Sequence, residues 1–275
     1  MISWFSQLKR NNGRNENNMS ELVIPQRFQH EIQNHLVGNL VGVPDFPLIL
    51  AIFGSPGIGK TFQLRSVLKL YGFSVFSISS ADLESEFAGR PAKELQQQYL
   101  NAGATIRKGI PAAIVIDDID TTLGEWKQNT GTVNHQELLA FLMHLADDPI
   151  HIGKFDAEIA RVPLFVTGND FTKIYKPLAR PGRTRQFEWV PTVEEKRQVL
   201  NSLPLSTKER AILNELVQSH PDESIAFYAS CLAKERMASI TKRFEDMNYA
   251  RLITDKQLRK QLKSEMSNQA FHDLL

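Results

Sequence analysis

The octet Gly54, Ser55, Pro56, Gly57, Ile58, Gly59, Lys60 and Thr61 constrains this 275-residue chain more than any other segment. It follows the apolar run at 47–53 and precedes a stretch with helical spacing. That is the strand, glycine-rich loop and helix order of a phosphate-binding P-loop. Without a Cβ, the glycines let backbone N–H groups turn towards one anion. The helix opening near Lys60 adds its positive N-terminal end. In such a loop Lys60 reaches the β- and γ-phosphates of a nucleoside triphosphate, and Thr61 places a hydroxyl on Mg2+.

The rest of the chain supplies the context this loop needs. Phe28, Ile32, Leu36 and Leu40 recur about every four positions within 21–42 and predict a helix, broken by Pro44 and Pro47 before the first strand. Residues 48–53 form a continuous apolar run suited to a central parallel strand. Further strands are expected at 74–78, 112–116 and 162–167, with a shorter one at 186–190, and a helix at about 92–108. Repeated strand–helix units predict an α/β fold, a parallel central sheet flanked by helices and linked by right-handed crossovers. After Pro191 the segments 192–201, 206–218 and 223–244 all read as helices. The expected organisation is a flexible polar leader at 1–19, a nucleotide-binding α/β domain at 20–191, and a small helical domain with a tail at 192–275.

Charge and cysteine usage narrow the class. Lys+Arg 32 against Asp+Glu 31 leaves a net charge of +1, so no global field favours nucleic acid or an anionic membrane. No apolar run approaches membrane-spanning length, and the N-terminus lacks a signal-like apolar core. The single cysteine, Cys231, excludes an intramolecular disulfide or a multi-cysteine zinc site and reads as a small core residue. A reducing compartment is expected, the cytoplasm or an equivalent such as the chloroplast stroma. The seven histidines show no HExxH spacing, and there is no GxSxG elbow.

Three further places carry chemistry. The third strand ends in Asp117 and Asp118, and carboxylates there border the phosphate crevice of an open α/β sheet. Asp117 is placed to hold Mg2+, directly or through water, and Asp118 to orient or deprotonate the attacking water. Asn169, at the end of the fourth strand, would reach the same crevice with a neutral amide able to hold that water. Arg180 and Arg183 flank a Pro-Gly turn far along the chain from the loop, and are expected to serve a neighbouring subunit's nucleotide.

The full set resembles the AAA+ ATPases: Walker A at 54–61, Walker B at 114–118, a sensor Asn at 169 and an RPGR arginine box at 180–183. Within that superfamily the chain is most similar to Rubisco activase. The similarity runs through SADLESEFAGRPAKELQQQY, TVNHQELLAFLMHLADDP, RVPLFVTGNDF, IYKPLARPGR and HPDESIAFYASCLA, covering roughly residues 20–240. The resemblance implies a ring-forming, ATP- and Mg2+-dependent homo-oligomer, expected to be a hexamer, that frees Rubisco of inhibitory sugar phosphates. It assigns nucleotide and Mg2+ binding to Lys60 and Thr61, the Walker B pair to Asp117 and Asp118, the sensor to Asn169 and trans-acting arginines to Arg180 and Arg183. The family commonly has Asn-Asp where this chain has Asp117-Asp118. Phe87-Ala88-Gly89 falls where many threading AAA+ machines carry an aromatic pore loop, which typical activases lack. A general unfoldase with a different protein client is therefore the alternative expectation. With one cysteine, redox control of the plant type is not expected.

Overall fold

The computed structural model describes residues 23–78, 90–122, 133–152, 158–201, 203, 205–241 and 253–260. The leader at 1–19 and Phe87-Ala88-Gly89 lie outside the described residues. The chain forms two compact units; the first holds 26–56 and 60–190, the second 57–59 and the residues from 191 onward.

In the first unit β1 (Ile49–Phe53), β2 (Ser74–Ile78), β3 (Ala112–Ile116), β4 (Leu164–Gly168) and β5 (Thr184–Glu188) form one sheet in the order β2-β3-β4-β1-β5. Every pairing is parallel. The three inner strands β1, β3 and β4 are buried along their whole length, as continuous apolar runs covered on both faces must be. The edge strand β5, with the sequence TRQFE, instead alternates between buried and more exposed positions. Helices α1 (Gln26–Val41), α2 (Lys60–Leu70), α3 (Arg90–Arg107), α4 (Ile119–Thr122), α5 (Val133–Asp147) and α6 (Lys176–Ala179) complete this unit among the described residues. Leu95, Tyr99 and Ala102 of α3 share one core cluster with Leu138, Leu142 and Leu145 of α5 and with the sheet. The buried Tyr99 hydroxyl donates to the Pro149 carbonyl at 2.9 Å and accepts the Val162 N–H at 3.1 Å.

The buried stripe of α1 is Phe28, Ile32, His35, Leu36, Gly38 and Asn39. Leu40, expected on that face, is 40% exposed. A strict four-residue repeat drifts about 40° per step round a helix of 3.6 residues per turn, so three steps carry it off the stripe. His35 and Asn39 replace it: a His35 ring N–H faces the Leu164 carbonyl at 3.2 Å, and the Asn39 amide donates to Pro47 O at 3.2 Å and accepts from Arg161 Nε at 2.8 Å.

In the second unit α7 (Val193–Asn201), α8 (Thr207–Ser219) and α9 (Ile225–Thr241) enclose Leu200, Leu203, Leu213, Val217, Tyr228 and Leu232. Ser206 and Glu209 form a capping box at the start of α8. Glu209 also pairs with Arg236 of α9 at 2.6 Å. Burial pushes the Glu209 carboxyl up, but the hydrogen bonds from Arg236 and Ser206 outweigh it and hold it below the usual carboxylate range. Residues 57–59 cluster with this unit; the Ala226 N–H donates to Gly57 O at 2.9 Å. Cys231 is half-buried in α9 and not a core residue, because the α9 face packed into this small unit is set by Tyr228 and Leu232.

The bounds of β1, β4 and β5 differ from expectation, β1 by a single residue, since it begins at Ile49. β4 begins two residues later than the apolar run suggests, since Pro163 has no N–H and the Val162 N–H goes to Tyr99. β5 begins and ends two residues earlier, because its ladder with β1 is in register from Thr184 opposite Ile49 to Glu188 opposite Phe53.

Candidate functional site

The register brings the ends of three strands to one crevice. Phe53 pairs with Gly168, and Ile116 with Val166. The loops leaving β1, β3 and β4 therefore open side by side at the carboxyl edge of the sheet, where open α/β folds take their ligands. Gly57 and Gly59 have φ of 74° and 80°, which side chains with a Cβ adopt only at a cost.

Lys60, the first residue of α2, is buried, and its ammonium donates to Gly54 O at 2.7 Å, Ser55 O at 3.0 Å and Asn169 Oδ1 at 3.0 Å. Its three donors thus join the loop after β1 to the residue after β4. Burial lowers the Lys60 pKa from 10.5, opposed by the Asp118 and Asp120 carboxylates. With Oδ1 turned towards Lys60, the Asn169 amide presents its two N–H donors elsewhere.

The buried Thr167 hydroxyl, on β4, ties the next three groups together. Thr167 Oγ1 lies 3.3 Å from Thr61 Oγ1, donates to Asp117 Oδ1 at 3.1 Å and accepts the Asp118 N–H at 3.3 Å. Asp117 Oδ2 takes a second donor, Arg65 of α2, at 2.6 Å, and Arg65 also donates to Ser77 Oγ at 2.9 Å. Both oxygens of Asp117 are held, which fixes the plane of its carboxylate. Asp118 has φ of 52°, an unusual left-handed conformation for a residue with a Cβ. Burial, then the neighbouring Asp117 and Asp120 carboxylates, push its pKa above 3.8, against the pull of Lys60.

The arginines stand elsewhere. The Ile49 N–H donates to Arg183 O at 3.2 Å, so the arginine turn adjoins the N-terminal end of β1 while the P-loop leaves its C-terminal end. At about 3.3 Å per residue the two ends of a five-residue strand lie roughly 13 Å apart. Arg183 grips Asp147, at the end of α5, through Nε at 2.7 Å and through a second N–H, and donates to Pro177 O at 2.7 Å. That grip holds the Asp147 carboxyl below its ordinary range. Arg180 is 58% exposed and reaches Asp147 only at 3.4 Å.

The structure therefore gathers Lys60, Thr61, Asp117, Asp118 and Asn169, and places Arg180 and Arg183 apart. Sequence reading missed Thr167, Arg65 and Asp147. Thr167 is the one polar residue in the run PLFVT, a detectable oddity; Arg65 and Asp147 gave no signal, because their roles depend on pairings set by the fold. Among the described residues no cluster of three His, Cys, Asp or Glu side chains is arranged to hold a metal. No helix among them is long and apolar enough to cross a membrane.

Comparison with known proteins bears on the same residues. The chain is 36% identical over 228 residues to the chloroplastic ribulose bisphosphate carboxylase/oxygenase activase of Solanum pennellii, covering 80% of this chain and 50% of that protein. It is 36% identical over 228 residues to activase 2 of Nicotiana tabacum, covering 80% and 52%. With the activase of Malus domestica the identity is 38% over 229 residues, again covering 80% and 52%. The chain spans about half the length of these curated relatives. Residues 50–192, from β1 past the arginine turn, match the ATPase family associated with various cellular activities. With that match spanning the crevice and the sheet that builds it, the chain belongs to the AAA family of ATPases.

Proposed function

We propose that this chain is an ATP-hydrolysing remodelling motor that works as a homo-oligomeric ring, a hexamer, and acts on Rubisco to release inhibitory sugar phosphates. One observation carries the motor: Lys60 spans the P-loop carbonyls and Asn169 in a crevice that also gathers Thr61, Asp117 and Asp118. The identity to Rubisco activases over 80% of the chain supports the client.

The donor set fits Mg2+. The oxygens of Thr61, Thr167 and Asp117 cluster at hydrogen-bond distances, and hard oxygen donors with few protein ligands suit an ion that keeps waters and phosphate oxygens. Thr61 and Asp117 would hold it, and when bound it neutralises charge developing on the phosphates. The residues of the chain do the rest. Backbone N–H groups of Gly54, Ser55, Pro56, Gly57, Ile58, Gly59 and Lys60 (the proline excepted) line the phosphate cradle. Lys60 exchanges loop carbonyls for phosphate oxygens. Asp118, a better proton acceptor for its raised pKa, takes the proton of the attacking water, and Asn169 orients that water with its amide N–H groups.

Arg180 and Arg183 belong to the next subunit's nucleotide. They stand at the wrong end of β1 to serve their own. Arg180, exposed and loosely paired, is the group that reaches furthest across, while Arg183 also grips Asp147 and so steadies the turn that carries both. Hydrolysis removes the γ-phosphate between P-loop and arginine and lets the subunit angle change. The decisive experiment incubates the purified protein and ATP with sugar-phosphate-inhibited Rubisco and measures recovered carboxylation. ATP-dependent recovery is expected, and no recovery despite ATP turnover shifts the reading to a general unfoldase. Phe87-Ala88-Gly89 is the sequence feature that favours that second reading.

A further inference from the structure

The geometry points to Asp120 as a positioning residue for hydrolysis: its carboxylate fixes the turn that carries Asn169 into the crevice. This rests on the ATPase reading above. Asp120 sits on α4, two residues beyond Asp118, and is only 4% exposed. Its Oδ2 accepts two consecutive backbone N–H groups, from Asn169 at 2.9 Å and Asp170 at 3.2 Å. One carboxylate oxygen therefore clamps the backbone just past β4, at the residue whose side chain meets Lys60. These are charge-assisted bonds in a buried place, the stronger kind.

The other oxygen is what makes a purely structural role a poor account. Oδ1 is buried and has no hydrogen-bond partner among the described residues. An unpaired buried acceptor is unfavourable, so part of the stability gained through Oδ2 is offset at Oδ1. The space beside it is reserved: a Cβ on Gly168 would stand 2.9 Å from Asp120 Oδ1 and 2.4 Å from the Phe53 ring. Gly168 lets the carboxylate and the end of β1 close on the Asn169 turn from two sides. The clamp thus links the segment after β3 to the segment after β4 through one side chain, independently of Lys60 and Thr167. Asn169 is exposed at the crevice; Lys60 holds its Oδ1, and Asp120 holds the backbone that carries it.

The test is a kinetic double-mutant cycle in the full chain. Asp120→Ala is expected to lower kcat for ATP at least about tenfold, while the KM for ATP and the affinity for a non-hydrolysable ATP analogue stay within about threefold. Asp120→Asn, which keeps a neutral acceptor at the same place, should recover most of that loss. If Asp120 acts through Asn169, removing it in an Asn169→Ala background costs no further activity. Equal losses in both backgrounds, or an analogue affinity that falls in step with kcat, would overturn the assignment. If Asp120→Ala does not fold, Asp120→Asn carries the same cycle. It is then expected to lower kcat about threefold in the otherwise wild-type chain and not at all in the Asn169→Ala background, where an undiminished effect rejects the clamp. A wild-type chain that releases no phosphate fails the ATPase reading itself, which no outcome among the variants can imitate.

Discussion

Lys60 is a buried cation whose three donors already have three oxygen acceptors, so its exchange onto a phosphate is close to an even trade in hydrogen bonds and a gain in charge. Lys60→Ala removes that gain and is expected to weaken ATP binding at least about 100-fold, read by titration with a labelled nucleotide; near-normal affinity would refute the phosphate-loop assignment. Asp118 gives a signed pH effect. It must be ionised to take a proton, and its pKa is raised above 3.8, first by burial and then by Asp117 and Asp120. Turnover should therefore be lost, as pH falls, at a higher pH than an ordinary aspartate would give. Asp118→Asn should cut kcat by about 10²–10⁴ and abolish this acid limb in a kcat–pH profile. An acid limb that survives the substitution belongs to another group.

At the scale of elements, α1 is held by a polar seam that also titrates. His35 is fully buried, and burial, with Arg185 next, lowers its pKa from 6.5 to about 3. The unfolded chain takes up this proton below about pH 6.5 and the fold does not, so stability is lost as pH falls through that window. Between pH 7 and 5 the loss from this one group is about 2 kcal/mol. Urea denaturation at the two pH values should show it, and His35→Leu should flatten the difference; an unchanged pH dependence would place the titration elsewhere. The same element shows where sequence reading stops. Phe28, Ile32 and Leu36 announced the helix because apolar periodicity is local, but the turn of the stripe onto His35 and Asn39 follows from carbonyls that β4 and the 42–48 loop present. The strands β2 and β3 were legible to the residue, β3 as a continuous apolar run and β2 as Val75, Phe76 and Ile78 between clear breaks. β5 was not, because an edge strand needs few apolar residues and its ends are set by β1. In the site, the glycines and the carboxylates were legible as motifs. Thr167, Arg65 and Asp147 were not, because each acts through a partner between 33 and 52 residues away along the chain.

At the scale of the whole molecule, the distance along β1 between P-loop and arginine turn makes a prediction about assemblies. If Arg180 completes a neighbour's site, the contact is heterologous, with each subunit giving an arginine on one side and a nucleotide site on the other. Arg180→Ala should then leave ATP binding intact and lower turnover by about 10³ or more. Lys60→Ala subunits are also inactive, but they keep the arginine. Mixing the two inactive variants in equal amounts creates junctions where an intact P-loop meets an intact arginine. With random assembly roughly a quarter of all sites are restored, so the mixture should hydrolyse ATP at about a quarter of the wild-type rate per site. Subunits that completed their own sites would gain nothing from mixing, since no single chain in the mixture carries both residues. Recovery that grows with protein concentration identifies assembly as its cause, and a mixture as inactive as its parts would return Arg180 to a role within its own subunit.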